Sequence, residues 1–238
     1  MRPVVATLVA IVIAASTLAS CSTSTHVVSG TPTSVAPRAS TPVVAFVGDS
    51  NILFAASAIT ITLYERNDLY PLVLIDRVGA GIRFSDCAGG KEPCATHDYW
   101  RNRLDDANRK IQPDAVVVNL GINDTLTAGT STTPGYADYG AKIDDFMALI
   151  GNRPVLWTNL PCKVEVKARL VGCNAVNAAL AGATARHKNL TIVDWAAAAN
   201  PHPNWMSPLI GGVHYEPAGY SAWSALVAKS LESRLTAG

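Results

Sequence analysis

The chain has 238 residues, 49% of them hydrophobic and 16% charged, which is enough apolar material for one globular domain with a sizeable core. Its formal net charge is +1, and no more than two Lys or Arg stand side by side. That excludes a surface built for nucleic acid or another polyanion.

The first predicted element is not part of the fold. Arg2 precedes an apolar run from Val4 to Ala15, so residues 1–20 read as a secretory signal. The run is shorter than the roughly 20 apolar residues of a spanning helix. It ends in TLASC, residues 17–21, and this ending resembles a bacterial lipoprotein signal. The resemblance implies that Cys21 is lipidated and that the mature protein sits on the outer face of the bacterial cell membrane, held there by its acyl chains. Residues 21–42 are rich in Ser, Thr and Pro and read as a disordered tether with a reach of roughly 25 Å. The folded domain is expected over 43–238.

From Val43 onward, apolar strands alternate with helices. The strands are expected at 43–47, 72–76, 115–120, 154–158 and 190–195. The helices are expected at 50–66, 99–111, 136–150, 175–187 and 218–235, with Pro217 at the first turn of the last. Five strands alternating with helices predict a parallel sheet covered on both faces. In such sheets the functional residues lie just beyond the carboxyl ends of the strands. Apart from Cys21 the chain carries Cys87, Cys94, Cys162 and Cys173. An even number in an exported protein suggests disulfides, and the local pairs Cys87–Cys94 and Cys162–Cys173 are favoured.

Three segments directly follow predicted strands: Gly48-Asp49-Ser50, Gly79-Ala80-Gly81 and Gly121-Ile122-Asn123-Asp124. A fourth, GGVHYEPAGY at 211–220, precedes the last helix. A serine at a helix start is most simply an N-cap. It becomes a nucleophile only if a base takes its proton. Of the five histidines, His26 lies in the tether, His97 between the cysteines, His187 at a helix end and His202 in a Pro-rich loop. His214 is the one whose loop returns to the edge where Ser50 stands. Gly81 allows a backbone N–H to approach closely, and Asn123 offers an amide, the donor types an oxyanion needs. Each also has a plain reading as a turn residue. No G-x-S-x-G, P-loop, intact dinucleotide fingerprint or metal-ligand spacing is present, so no cofactor and no metal are expected.

Taken together and in order, these blocks resemble the SGNH hydrolases, also called the GDSL family. The resemblance implies a flavodoxin-like three-layer α/β/α sandwich and ester hydrolysis or acyl transfer through a serine acyl-enzyme. Ser50 would be the nucleophile and His214 the general base. The oxyanion would be held by the N–H groups of Ser50 and Gly81 and by the Asn123 side chain. In the family an aspartate usually stands three residues before the histidine, and here that residue is Gly211. Either the Gly211 carbonyl orients the imidazole, or Asp194 or Glu216 reaches in, or activity is weakened. The expected substrates are small acyl esters of envelope glycans or lipids. Trp205 and Tyr215 read as packing residues or as platforms for a sugar or acyl group. The alternative is a non-catalytic envelope-binding lipoprotein that retains the fold.

Overall fold

Strand alternation decides the architecture. In β1 (Val43–Gly48), Ala45 and Val47 point to one face while Val44 and Phe46 point to the other, and all four are fully buried. The same alternation runs through β3 (Ala115–Asn119), with Val116 and Val118 opposed to Ala115 and Val117. A strand buried on both faces must be central in a sheet with helices on each side. The other strands are β2 (Tyr70–Asp76), β4 (Val155–Thr158) and β5 (Leu190–Val193). The sheet is wholly parallel in the order β2-β1-β3-β4-β5.

These features come from a computed structural model that describes residues 41–67, 69–76, 80–82, 99–126, 139–162, 167–208 and 212–236. The signal, nearly all of the tether, Cys21, the Cys87–Cys94 pair and Gly211 lie outside the described residues.

Helices α2 (Tyr99–Lys110), α3 (Tyr139–Ile150) and α4 (Lys167–Arg186) cover one face. Leu104, Ile143, Phe146, Val176 and Leu180 supply its core, with Trp157 of β4 at the centre. Helices α1 (Ser50–Asn67), α5 (Trp195–Ala199) and α6 (Pro217–Thr236) cover the other. There Ile52, Ile59, Trp195, Trp223 and Leu231 pack on Phe46 and Val117. The result is a three-layer α/β/α sandwich. Each fully buried Leu, Ile or Phe contributes about 1.5–3 kcal/mol of transfer free energy, so both faces are needed to offset chain entropy.

Beside β2, which starts at Tyr70 rather than Leu72, two elements differ from the sequence expectation for a visible reason. Helix α4 begins at Lys167 rather than Ala175. Cys173, Val176, Leu180 and Ala183 share one buried stripe at helical spacing, and burial carries the helix through Gly172. Cys173 also forms the disulfide to Cys162. That bond ties the segment after β4 to α4 and closes a loop worth about 3 kcal/mol by chain entropy. Strand β5 ends at Val193, not Trp195, because the Asp194 carboxylate accepts the Ala197 N–H and starts the short helix α5.

Candidate active site

The site is built at the carboxyl end of β1. A Cβ on Gly48 would lie 2.9 Å from Ile52 Cβ and 3.0 Å from the Asn119 carbonyl. Only glycine lets α1 start this close to the strand. Asp49 then caps the helix, its Oδ1 accepting the Asn51 N–H at 2.8 Å. The N-cap is therefore Asp49 and not Ser50, which leaves the serine hydroxyl free for another partner.

That partner is His214. Ser50 Oγ and His214 Nε2 are 2.8 Å apart, across 164 positions of chain. Ser50 is 2% exposed, and its own N–H is the first of α1, which no intrahelical carbonyl reaches. His214 is half-buried, and burial alone holds its pKa below the ordinary 6.5. The neutral ring, the form that can take a proton, is thus favoured near pH 7. Phe54, on the next turn of α1 from Ser50, meets the imidazole nearly edge-on with centroids 5.1 Å apart, and is itself 54% exposed.

The remaining blocks converge on the same point. Asn123 Nδ2 donates to Asp49 Oδ2 at 3.0 Å and to the Ala80 carbonyl at 2.8 Å. One amide thus ties the nucleophile turn to the glycine loop. Both of its hydrogens are committed, so to reach an oxyanion it must exchange one of these bonds. Asp124 locks the glycine loop from behind. Its Oδ2 accepts the Ile82 N–H at 2.9 Å and the Tyr139 hydroxyl at 3.0 Å. A Cβ on Gly81 would lie 2.8 Å from Asp124 Cγ and closer still to Oδ1, which is why a glycine stands there. Asp49 is fully buried, and its pKa is raised to about 7. Desolvation is the main cause and the charge of Asp124 adds to it, against the bond from the Asn51 amide.

Neither candidate carboxylate bonds the imidazole. Asp194 Oδ1 accepts from Asn159 Nδ2 at 2.8 Å and from the Ala197 N–H at 3.0 Å, holding the start of α5. Among the described residues, no hydrogen bond joins Asp194 or Glu216 to His214. Tyr215 is buried against Trp195 and Tyr220, and Trp205 is stacked between Trp195 and His202. Both are packing residues, and the exposed aromatic at the site is Phe54.

Sequence reasoning passed over four contributors: Asn51, Phe54, Asp124 and Tyr220. A polar Asn51 directly after Ser50, in an otherwise apolar helix start, was the one visible signal. The others read as ordinary helix or turn residues until the chain is folded.

A serine bonded to a histidine at a parallel-sheet edge is an arrangement that could transfer an acyl group through the serine. A family model for GDSL-like lipases and acylhydrolases matches residues 46–222, and the chain belongs to that family. No curated protein sequence matches the chain. Among solved structures, a lipase/acylhydrolase from Enterococcus faecalis is similar at 16% identity, covering 81% of this chain and 96% of its own, with a TM-score of 0.56. The C-terminal catalytic domain of the Streptococcus pneumoniae peptidoglycan O-acetyltransferase, with a methylsulfonyl adduct, is similar at 17% identity, covering 83% and 94%, with a TM-score of 0.57. A lipase from a goat rumen metagenome has 12% identity, coverage of 80% and 97%, and a TM-score of 0.53. At such identities the likeness is one of fold.

Proposed function

We propose that the protein is a serine esterase or acyltransferase acting on small acyl esters. The observation that carries the reading is the 2.8 Å approach of Ser50 Oγ to His214 Nε2. With its ring proton on Nδ1, His214 accepts the hydroxyl hydrogen as Ser50 Oγ attacks the acyl carbonyl carbon. The N–H groups of Ser50 and Gly81 stabilise the tetrahedral oxyanion. Asn123 joins them by releasing Asp49 as negative charge develops. The intermediate collapses as Nε2 returns the proton to the departing alcohol, leaving Ser50 acylated. Water or a second hydroxyl then attacks the acyl-enzyme with His214 again as base, which releases the acid or a new ester and restores Ser50.

Phe54 lies against His214, the group that protonates the leaving alcohol, so its exposed ring lines the alcohol side of the site. An aromatic face there suits the apolar face of a sugar or a lipid chain. The pneumococcal neighbour is a peptidoglycan O-acetyltransferase. Together with the lipoprotein-type ending at Cys21, this supports an envelope glycan or lipid ester as substrate and a lipid-anchored position outside the cell. The lack of a carboxylate on His214 among the described residues favours, as the second reading, a binding protein that keeps the fold without turnover.

The test is hydrolysis of p-nitrophenyl acetate by the purified full-length protein beside Ser50→Ala. Loss of at least about 10⁴-fold in kcat/KM is expected. Equal rates would leave only the binding reading.

A further inference from the structure

Among the described residues the imidazole of His214 makes a hydrogen bond to Ser50 and meets Phe54 edge-on, contacts that alone would let the ring swing about its backbone. Its backbone, by contrast, is pinned at every residue from 213 to 216. Asn51 Nδ2 donates to the Val213 carbonyl at 3.1 Å. Ser207 N–H donates to the His214 carbonyl at 2.8 Å. Tyr215 N–H donates to the Tyr220 hydroxyl at 3.3 Å, and that hydroxyl donates to Asn51 Oδ1 at 3.1 Å. Glu216 N–H donates to the Trp205 carbonyl at 2.8 Å.

Two of these four ties end on one side chain. Asn51 holds the chain just before His214 directly and the chain just after it through Tyr220. Asn51 is 1% exposed, so its amide has no water to fall back on, and both its ends are satisfied only in this arrangement. It also follows Ser50 directly and is fixed in turn by the bond from its own N–H to Asp49. The distance between nucleophile and base is therefore set through one short rigid path, from the Ser50 backbone through the Asn51 amide to Val213.

We infer that Asn51 is the positioning residue of the Ser50–His214 pair, placing the imidazole by its backbone where an acidic residue would otherwise hold the ring. The inference rests on the Ser–His reading above. The two means of placement differ in one respect. A carboxylate on Nδ1 also stabilises the imidazolium that forms during the reaction, whereas an amide on Val213 supplies position and no charge. The burial-lowered pKa of His214 agrees with a ring that has no carboxylate bonded to it among the described residues.

Three variants separate the possibilities. Asn51→Asp keeps the shape and the acceptor for Tyr220 but loses the donor to Val213. Asn51→Ala loses both ties, and Tyr220→Phe removes a single oxygen from the same network and keeps the ring. For the Asn51 variants kcat should fall by about 10²–10³-fold with KM within about twofold, because a misplaced base slows chemistry and not binding. For Tyr220→Phe a loss of about tenfold is expected. A kcat within threefold of the parent in Asn51→Asp and Asn51→Ala would overturn the inference.

A readout independent of turnover is the NMR titration of the His214 ring. In the native background Ser50→Ala should move that titration, since it removes the ring's hydroxyl partner. In the Asn51→Ala background, or in Tyr220→Phe to a smaller degree, Ser50→Ala should move it less or not at all. An equal shift in all backgrounds overturns the positioning role and leaves the Ser–His pair standing. No shift in the native background overturns the pair itself, and the positioning role with it.

Discussion

The two edges of the sheet each carry a histidine with a polar partner, and the partners make them different groups. At the carboxyl edge, His214 faces a hydroxyl, is half-buried and has no carboxylate among the described residues bonded to it. At the opposite edge, His187 Nε2 lies 2.6 Å from Asp144 Oδ1, and Arg186 Nη2 reaches the same oxygen at 2.8 Å. The bond from Arg186 first, and that from His187 second, hold the Asp144 carboxyl below its ordinary value. A groove of about 610 Å³ opens there, lined in part by Asp144, Arg186, His187 and Arg234. Its Asp144, Arg186 and His187 serve one another, and Arg234 Nη2 is bonded to the Lys188 carbonyl. The lesson is that neither a groove nor residue type by itself marks a candidate catalytic histidine. What sets His214 apart is a hydroxyl partner whose proton the ring could take.

Replacing each histidine by glutamine tests that contrast most strongly. His214→Gln should lower kcat/KM for p-nitrophenyl acetate by about 10⁴-fold, while His187→Gln should leave it within twofold and cost about 0.5–1.5 kcal/mol of stability in a urea titration, as the loss of one hydrogen bond does. Comparable losses of activity from both would erase the distinction between the edges. A smaller effect is expected from Gly81→Ala. The new methyl must displace the Asp124 carboxylate, and with it the loop that offers the Gly81 N–H. A fall of about 10²–10³-fold in kcat is expected, with the fold retained by circular dichroism. Unchanged kcat would remove Gly81 from the oxyanion site.

The least drastic way to sharpen the comparison is pH. His214 must be neutral to act, and its folded pKa lies below 6.5. The kcat/KM profile should therefore be flat from about pH 7 upward and fall about tenfold per unit only once pH drops below that lowered pKa. An acid limb centred above 6.5 that persists in Asp49→Asn would mean that an anion holds the proton on the ring, and would point to a carboxylate partner; one that disappears in that variant belongs to Asp49, whose pKa is raised to about 7.

Much of this site was legible along the chain. Glycine turns after apolar runs placed Ser50, Gly81 and Asn123 at one edge, and strands alternating with helices implied a parallel sheet covered on both faces. Less legible was the way the blocks hold each other. Asn123 appeared as a free oxyanion donor, but its amide bridges Asp49 and Ala80. Asp194 appeared as a candidate orienter, but it caps a five-residue helix too short to carry a periodic signal. Trp205 and Tyr215 read along the chain as packing residues or as platforms, and their contacts with Trp195 decide for packing.

The amino-acid sequence by itself determined the layers, the order of the blocks and the identity of the serine and the imidazole. Hydrophobic period and glycine placement are local properties that need no knowledge of distant residues. Only the tertiary structure decided that Asn51 grips Val213, 162 positions away, that Asp124 occupies the space a side chain at 81 would need, and that Phe54 lies on His214. Those contacts depend on which atoms the sheet brings within about 3–5 Å, a quantity that a hydrogen bond or ring contact senses steeply and that sequence separation does not encode.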